Sequence, residues 1–322
     1  MGGKIRNVTQ MTRTAPLVTV VIPAYNAEPY ILEAISSVLQ QDYEPIEIVL
    51  VDDGSADRTA SLVEAYAPQV RIIRQANSGV GAARNTGLRA ATGDFICFLD
   101  ADDGWYPNKV SMQISHLEAN PEVGAVYHDW QVTKPNADGV YDTTLPHVVD
   151  QVVGIDGEKS GWLYKQLVLS CVIHTSTIMM RRVIAEQVGF FNTNLINGED
   201  YDFWLRLSRL GRIDKLDSVL SFYRETAASL TTTVQPVNYE LEVLESALRR
   251  WGNRDVDDYA VPSLVLKRRK AKLAFDFAHA HYRSGNRATA RRYFFYALYH
   301  DPRRIKAIPL FLLSMLPRIT GR

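Results

Sequence analysis

Between residues 17 and 99 short apolar runs alternate with amphipathic stretches, and this alternation limits the fold more than any other property of the chain. Residues 17–22, 46–51, 70–74 and 94–99 have the pattern of buried strands, and residues 30–40, 57–66 and 79–91 that of helices. A β-α-β-α-β-α-β order predicts a parallel sheet with right-handed crossovers and helices on both faces. The last run, Phe95-Ile96-Cys97-Phe98-Leu99, stops abruptly in Asp100-Ala101-Asp102-Asp103. Ligands of open α/β sheets collect beyond the carboxyl ends of the strands, and clustered Asp oxygens there suit a hard cation such as Mg²⁺ or Mn²⁺. The Asp-x-Asp spacing lets two carboxylates converge on one metal; the simpler alternative is a polar loop in which one Asp caps the next helix.

The 322 residues are 46% hydrophobic and 22% charged, ample for one large domain with an appendage. Cysteine occurs only at 97 and 171, which excludes a disulfide framework and a Cys-based zinc site and points to a reducing, cytoplasmic setting. Residues 1–16 are polar, carry no apolar signal-peptide core and read as a disordered lead-in; Arg6 breaks a myristoylation pattern. Charge is uneven: residues 1–240 hold 19 Lys/Arg against 29 Asp/Glu, and residues 241–322 hold 17 against 7. An acidic body joined to a basic tail suits phosphate or anionic lipid facing the tail, with a solvated helical face as the alternative.

Beyond the acidic turn the pattern predicts a helix over 106–119, a strand over 123–130, a long polar segment over 134–161, a strand over 172–180 and a helix over 199–210. After about residue 240 the chain turns to helices rich in Arg, Ala and aromatics. Gly285, Ala290, Phe294, Ala297 and Pro302 match the spacing of one tetratricopeptide-like hairpin, although a plain helix pair packed on the main domain explains them as well. Residues 305–316 are strongly apolar, too short to span a bilayer and interrupted by Pro309. With Arg303, Arg304, Lys306 and Arg318 alongside, they suit either a membrane interface or burial against their own domain. The expected division is 1–16 lead-in, 17–230 catalytic domain and 231–322 helical region.

Several motifs carry chemistry. Pro23-Ala24-Tyr25-Asn26 follows the first strand, and Tyr25 offers a flat face on which a base could stack. The second strand ends in Asp52-Asp53-Gly54-Ser55, where one acid suits a helix cap and the other a base N–H or ribose hydroxyl. In Asn77-Ser78-Gly79-Val80-Gly81-Ala82-Ala83-Arg84, Arg84 stands where a dinucleotide fingerprint needs its third Gly, so a Rossmann hydride enzyme is excluded. Arg84 instead suits a phosphate or the acidic turn.

Taken in order, Pro-x-Tyr-Asn at 23–26, Val-Asp-Asp-Gly-Ser at 51–55, Ala-Arg-Asn-x-Gly at 83–87, Thr-Gly-Asp at 92–94 and Asp-x-Asp at 100–102 resemble the family 2 glycosyltransferases over roughly residues 17–225. The resemblance implies a GT-A fold, a Rossmann-like, mostly parallel sheet flanked by helices, here with a C-terminal helical appendage. It implies a nucleotide-sugar site drawn from Pro23, Tyr25, Glu28, Asp53, Arg84, Asp100, Ala101, Asp102 and Arg224, with Asp100 and Asp102 on Mg²⁺ or Mn²⁺. Glu199-Asp200 resembles the family's Glu-Asp motif, which makes Asp200 the general base and Glu199 its orienting partner. An acceptor hydroxyl must lose its proton as it attacks, so a carboxylate within reach is a chemical requirement.

Tyr223-Arg224-Glu225-Thr226 departs from the family's Tyr-Arg-x-His, with Thr226 in the His position. Arg224 and water are then expected to serve the leaving diphosphate; none of the seven histidines forms a compensating cluster, and His279 and His281 read as tail surface. The implied function is inverting transfer from a nucleotide-diphosphate sugar to a hydroxyl acceptor, such as a lipid-linked sugar in surface polysaccharide assembly at the inner membrane face. No nucleic-acid partner is expected. A sugar-phosphate nucleotidyltransferase would need a Gly-rich basic loop where residues 23–27 stand, and a catalytically silent scaffold is the third reading.

Overall fold

The computed structural model describes residues 15–66, 68–144, 154–226 and 233–315. Most of the expected lead-in, the middle of the long polar segment, and Leu316 and Arg318 lie outside the described residues. The predicted alternation is present: β1 (Val18–Ala24), α1 (Ile31–Leu39), β2 (Ile46–Asp52), α2 (Thr59–Glu64), β3 (Val70–Arg74), α3 (Val80–Ala90) and β4 (Phe95–Phe98). Next come β5 (Gly104–Trp105), α4 (Lys109–Ala119), β6 (Val123–Thr133), α5 (Tyr164–Leu167), β7 (Met179–Arg181), α6 (Arg182–Val188), α7 (Glu199–Leu207) and β8 (Arg212–Arg224). Four helices close the described chain: α8 (Tyr239–Trp251), α9 (Ser263–Ser284), α10 (Arg287–His300) and α11 (Ala307–Met315).

The strands form one eight-stranded sheet in the order β3-β2-β1-β4-β7-β6-β8-β5. β3, β2, β1 and β4 run parallel, β7 runs antiparallel to β4 and β6, and β6 and β8 are parallel. The reversal at β7 decides the site. Met179 pairs with Cys97, so residues leading into β7 arrive where β4 ends. The carboxyl ends of β6 and β8 reach the same edge.

Two expectations need correction. The run 172–180 is not one strand: residues 175–177 form a 3-10 turn, and β7 begins only at Met179. Pro309 does not break the last helix, because α11 starts at Ala307 and the proline falls in its first turn, where backbone N–H groups have no intrahelical partner anyway.

The sheet is covered on both faces. One core joins Val20, Ile22, Ile35, Leu50 and Leu117, and the other joins Phe98, Tyr127, Phe191, Phe203 and Trp204. The second core also takes in Leu241, Leu244, Leu266, Leu273 and Ala297, so α8, α9 and α10 share it with the sheet. Gly87 lets α3 lie directly on β1, since a Cβ there would stand 2.2 Å from Val21 Cγ1.

Lys109 is a fully buried cation behind β4, with Nζ 2.7 Å from Gln113 Oε1, 3.8 Å from Cys97 Sγ and 3.7 Å from the Trp105 ring centre. Burial pushes its amine down to about 8 from 10.5. The unfolded chain therefore binds more protons across that window, and stability rises as pH climbs from 8 to 10.5. Urea unfolding of the wild type and Lys109→Met should show a gain of about 2–3 kcal/mol over this window that the variant lacks. Equal pH slopes would mean that Lys109 is not a buried charge.

Candidate active site

The sheet edge gathers carboxylates that local sequence keeps far apart, and a buried arginine joins them. Arg84, on α3, donates from Nη1 to Glu199 Oε1 at 2.6 Å and from Nη2 to Asp100 Oδ1 at 2.7 Å. Its side chain is 4% exposed, so both bonds act in a low-dielectric setting. Burial opposes its charge, but the two carboxylates outweigh burial and keep the guanidinium firmly protonated. Against the same burial, Arg84 holds Asp100 below the usual carboxylate range. Glu199 goes the other way: burial, reinforced by the adjacent Asp200, outweighs Arg84 and lifts it to about 7.

Asp200 opens α7 beside Glu199. Its Oδ1 accepts from the Tyr201 N–H at 2.7 Å, while Oδ2 receives only a long 3.4 Å bond from Thr175 Oγ1. It is half-buried.

The acidic turn divides its labour. Asp103 is fully buried, accepting from Ser176 Oγ at 2.6 Å and from the Arg224 N–H at 3.2 Å. Burial and the neighbouring Asp102 and Asp100 charges raise its carboxyl well above the usual range. Asp102 is half-buried and lifted to about 6 by burial and by Asp100. Arg224 is buried; it donates to the Asp102 carbonyl at 3.1 Å and to Glu33 at 2.6 Å, with its guanidinium over Tyr30, Tyr141 and Phe222. Thr226 is buried close by in sequence.

His174 corrects the expectation that no histidine compensates for Thr226. It leads into β7, and Nδ1 lies 3.8 Å from Asp103 Oδ2. Its ring sits 5.3 Å from Trp130 and 4.9 Å from Tyr223. Burial pulls its pKa below the ordinary value, which favours the neutral imidazole that ligates metals, and Nδ1 has no hydrogen-bond partner. One donor atom each from Asp100, Asp103 and His174 lies within 4.8 Å of the others, a set that fits a divalent cation such as Mn²⁺. Asp102 stands outside that trio. His281 is also not surface: it is buried, with its ring nitrogen on the Gln235 carbonyl.

The residues expected to hold the nucleotide base cluster at the ends of β1 and β2. Pro23 is buried in β1, and Tyr25 is 53% exposed just beyond it. Asp53 is buried, and its carboxylate accepts from Gln75 Nε2, Ser78 N–H and Gly79 N–H, fixing the loop that opens α3. Glu28 grips Arg58 through Nε and Nη2, which spans the loops after β1 and β2. Ala101 is buried within the acidic turn. No motif points to Ser176, which accepts from the Asp100 N–H while donating to Asp103.

This curled sheet with acids at its central carboxyl edge is the GT-A fold. Among the solved structures that share it are S. aureus TarS 1-349 in complex with UDP-GlcNAc, at TM-score 0.61 and 17% identity over 92% of this chain and 90% of that one, and the Pyrobaculum calidifontis mannosyltransferase PcManGT in complex with GDP-Man and Mn2+, at 0.58 and 21% over 93% and 79%. The profile of glycosyl transferase family 2 matches residues 19–188, and the chain belongs to that family: it is a glycosyltransferase. An uncharacterised glycosyltransferase of Rickettsia prowazekii (strain Madrid E) is 32% identical over 221 residues, covering 68% of this chain and 67% of its own. The UDP-Glc:alpha-D-GlcNAc-diphosphoundecaprenol beta-1,3-glucosyltransferase WfgD of Escherichia coli is 30% identical over 220 residues, covering 67% and 80%.

Arg84→Met should lower unfolding stability by about 3–5 kcal/mol, because it leaves the buried Glu199 and the half-buried Asp100 without their cation. Denaturant titration checks this, and a loss under about 1 kcal/mol would show that the bridge is not buried in solution.

Proposed function

We propose that this glycosyltransferase moves a sugar from a nucleotide-diphosphate sugar to a hydroxyl acceptor with inversion at the anomeric carbon. The observation that carries the reading is the placement of Asp200, whose Oδ2 is only weakly engaged, beside an arginine that also holds the acidic turn. Asp200 takes the acceptor proton as the hydroxyl attacks, and Glu199, fixed by Arg84, orients it. Tyr25 and Asp53 flank the base, and Arg224 steadies the backbone of the acidic turn. Asp100 and Asp102 are the proposed metal carboxylates, and Asp103 and His174 lie beside Asp100 as further donors. When bound, a divalent cation, Mg²⁺ or Mn²⁺, supplies charge neutralisation for the departing diphosphate.

The donor class is supported by the UDP-GlcNAc and GDP-Man named for the neighbours in fold, and the metal by the Mn2+ of the second. A lipid-linked sugar acceptor in polysaccharide assembly, met from the cytoplasmic side, is supported by the diphosphoundecaprenol substrate in the name of the E. coli relative.

Incubation with a panel of nucleotide sugars and Mn²⁺ tests the reading, with release of nucleotide diphosphate as readout and proton NMR of the product reporting the anomer. Metal-dependent release with an inverted product is expected. Asp200→Asn should retain donor binding and lose at least ~10²-fold in transfer. Near-normal turnover in the variant would move the base elsewhere, and a retained anomer would overturn direct displacement.

A further inference from the structure

α10 and α11 present an apolar and basic surface on the outside of the helical region. On α10 the exposed positions Ala288, Arg291, Arg292, Phe295 and Tyr299 recur at helical spacing and form one stripe, while Ala290, Phe294 and Ala297 face inward. α11 buries only Ala307 and Ser314, leaving Leu312 55% and Met315 51% exposed. Ile305, in the connection, is 68% exposed, and the Phe295 and Phe311 rings approach to 6.3 Å, so the two helices make one surface. A helix that is apolar all round is ordinarily buried, and a contiguous exposed patch of this kind marks an interaction site.

We propose that this surface docks the enzyme on an anionic lipid bilayer. Charge selects that occupant: residues 287–315 carry six Lys/Arg and a single acid, Asp301. Arg291, Arg292, Arg303 and Lys306 are exposed around the apolar positions, Tyr299 is the aromatic type that favours the headgroup level, and Phe295 adds to the apolar face. The mode is peripheral. The described part of α11, nine residues, is about 13 Å long, less than half the hydrocarbon thickness, and no described helix is long and apolar enough to cross a membrane.

Co-sedimentation of the full chain with vesicles tests the proposal, using phosphatidylcholine alone or mixed with phosphatidylglycerol, at low and high salt. Wild type should bind the mixed vesicles, bind the neutral ones far less, and be released by salt. Arg303→Glu with Lys306→Glu should weaken partitioning at least about tenfold, since each basic residue near an anionic surface contributes roughly fivefold. Leu312→Gln with Leu313→Gln should weaken it at both salt concentrations. All three proteins should unfold at nearly the same temperature, because the altered side chains are solvent-exposed and the Arg303–Asp301 ion pair that is lost lies at the surface. Equal partitioning of variants and wild type, or equal binding to neutral vesicles, would overturn the proposal. So would a wild-type dimer in light scattering that the leucine variant dissociates, which would assign the surface to a second copy. Activity is not the readout, so either result leaves the transferase reading where it stands.

Discussion

The two hydrogen bonds of the Arg84 guanidinium hold the site together. Asp100 comes from the end of β4 and Glu199 from the start of α7, 99 residues apart, and neither carboxylate would tolerate burial beside the other without a cation between them. The fork of an arginine suits this task as a lysine would not, because its two terminal nitrogens reach two acceptors in one plane. The same contact sets the spacing between the acidic turn and Asp200, so the donor and acceptor sides of the proposed reaction are positioned by one side chain. Gly87 contributes at a distance by letting α3 press against β1, which brings Arg84 to the sheet edge.

Strand direction supplies the remaining residues. Because β7 runs against β4, the residues before it return to the edge where β4 ends, bringing Ser176 to Asp100 and Asp103 and His174 to the acidic turn. β8 ends there as well, and Arg224 ties its last residue to the Asp102 carbonyl. The unpartnered Nδ1 of His174 and the crowding of three acids explain why this edge suits a divalent cation even with Thr226 in place of the family's histidine.

The four-strand parallel half was legible because its runs stay mainly apolar despite single polar residues such as Thr19, Glu47 and Arg71, and its helices are bounded by polar turns. β8 was not, because Asp214 and Lys215 break the apolar pattern, yet both are buried: Asp214 pairs with His116 and Lys215 with Asp129 and Asp156. Hydropathy counts such residues as exposed when their charges are in fact met by partners far along the chain. The acids of the site were legible as motifs, whereas His174 and Ser176 were hidden inside a stretch that looked like continuous strand. Their roles follow from an antiparallel pairing that local spacing does not encode. His281 shows the reverse error, a polar residue on a helix that finds a backbone carbonyl and becomes buried.

Arg84 and the carboxylates it bridges are expected to act as one unit. A double-mutant cycle on kcat/KM with Arg84→Lys, Glu199→Gln and the pair together measures this directly, with folding of each variant verified by its unfolding curve. If the bridge is the unit, the second substitution adds little to the first, and the coupling amounts to about 1.5 kcal/mol or more, within the range for residues in one buried network. Losses that simply add would contradict the account and leave Arg84 and Glu199 as independent contributors.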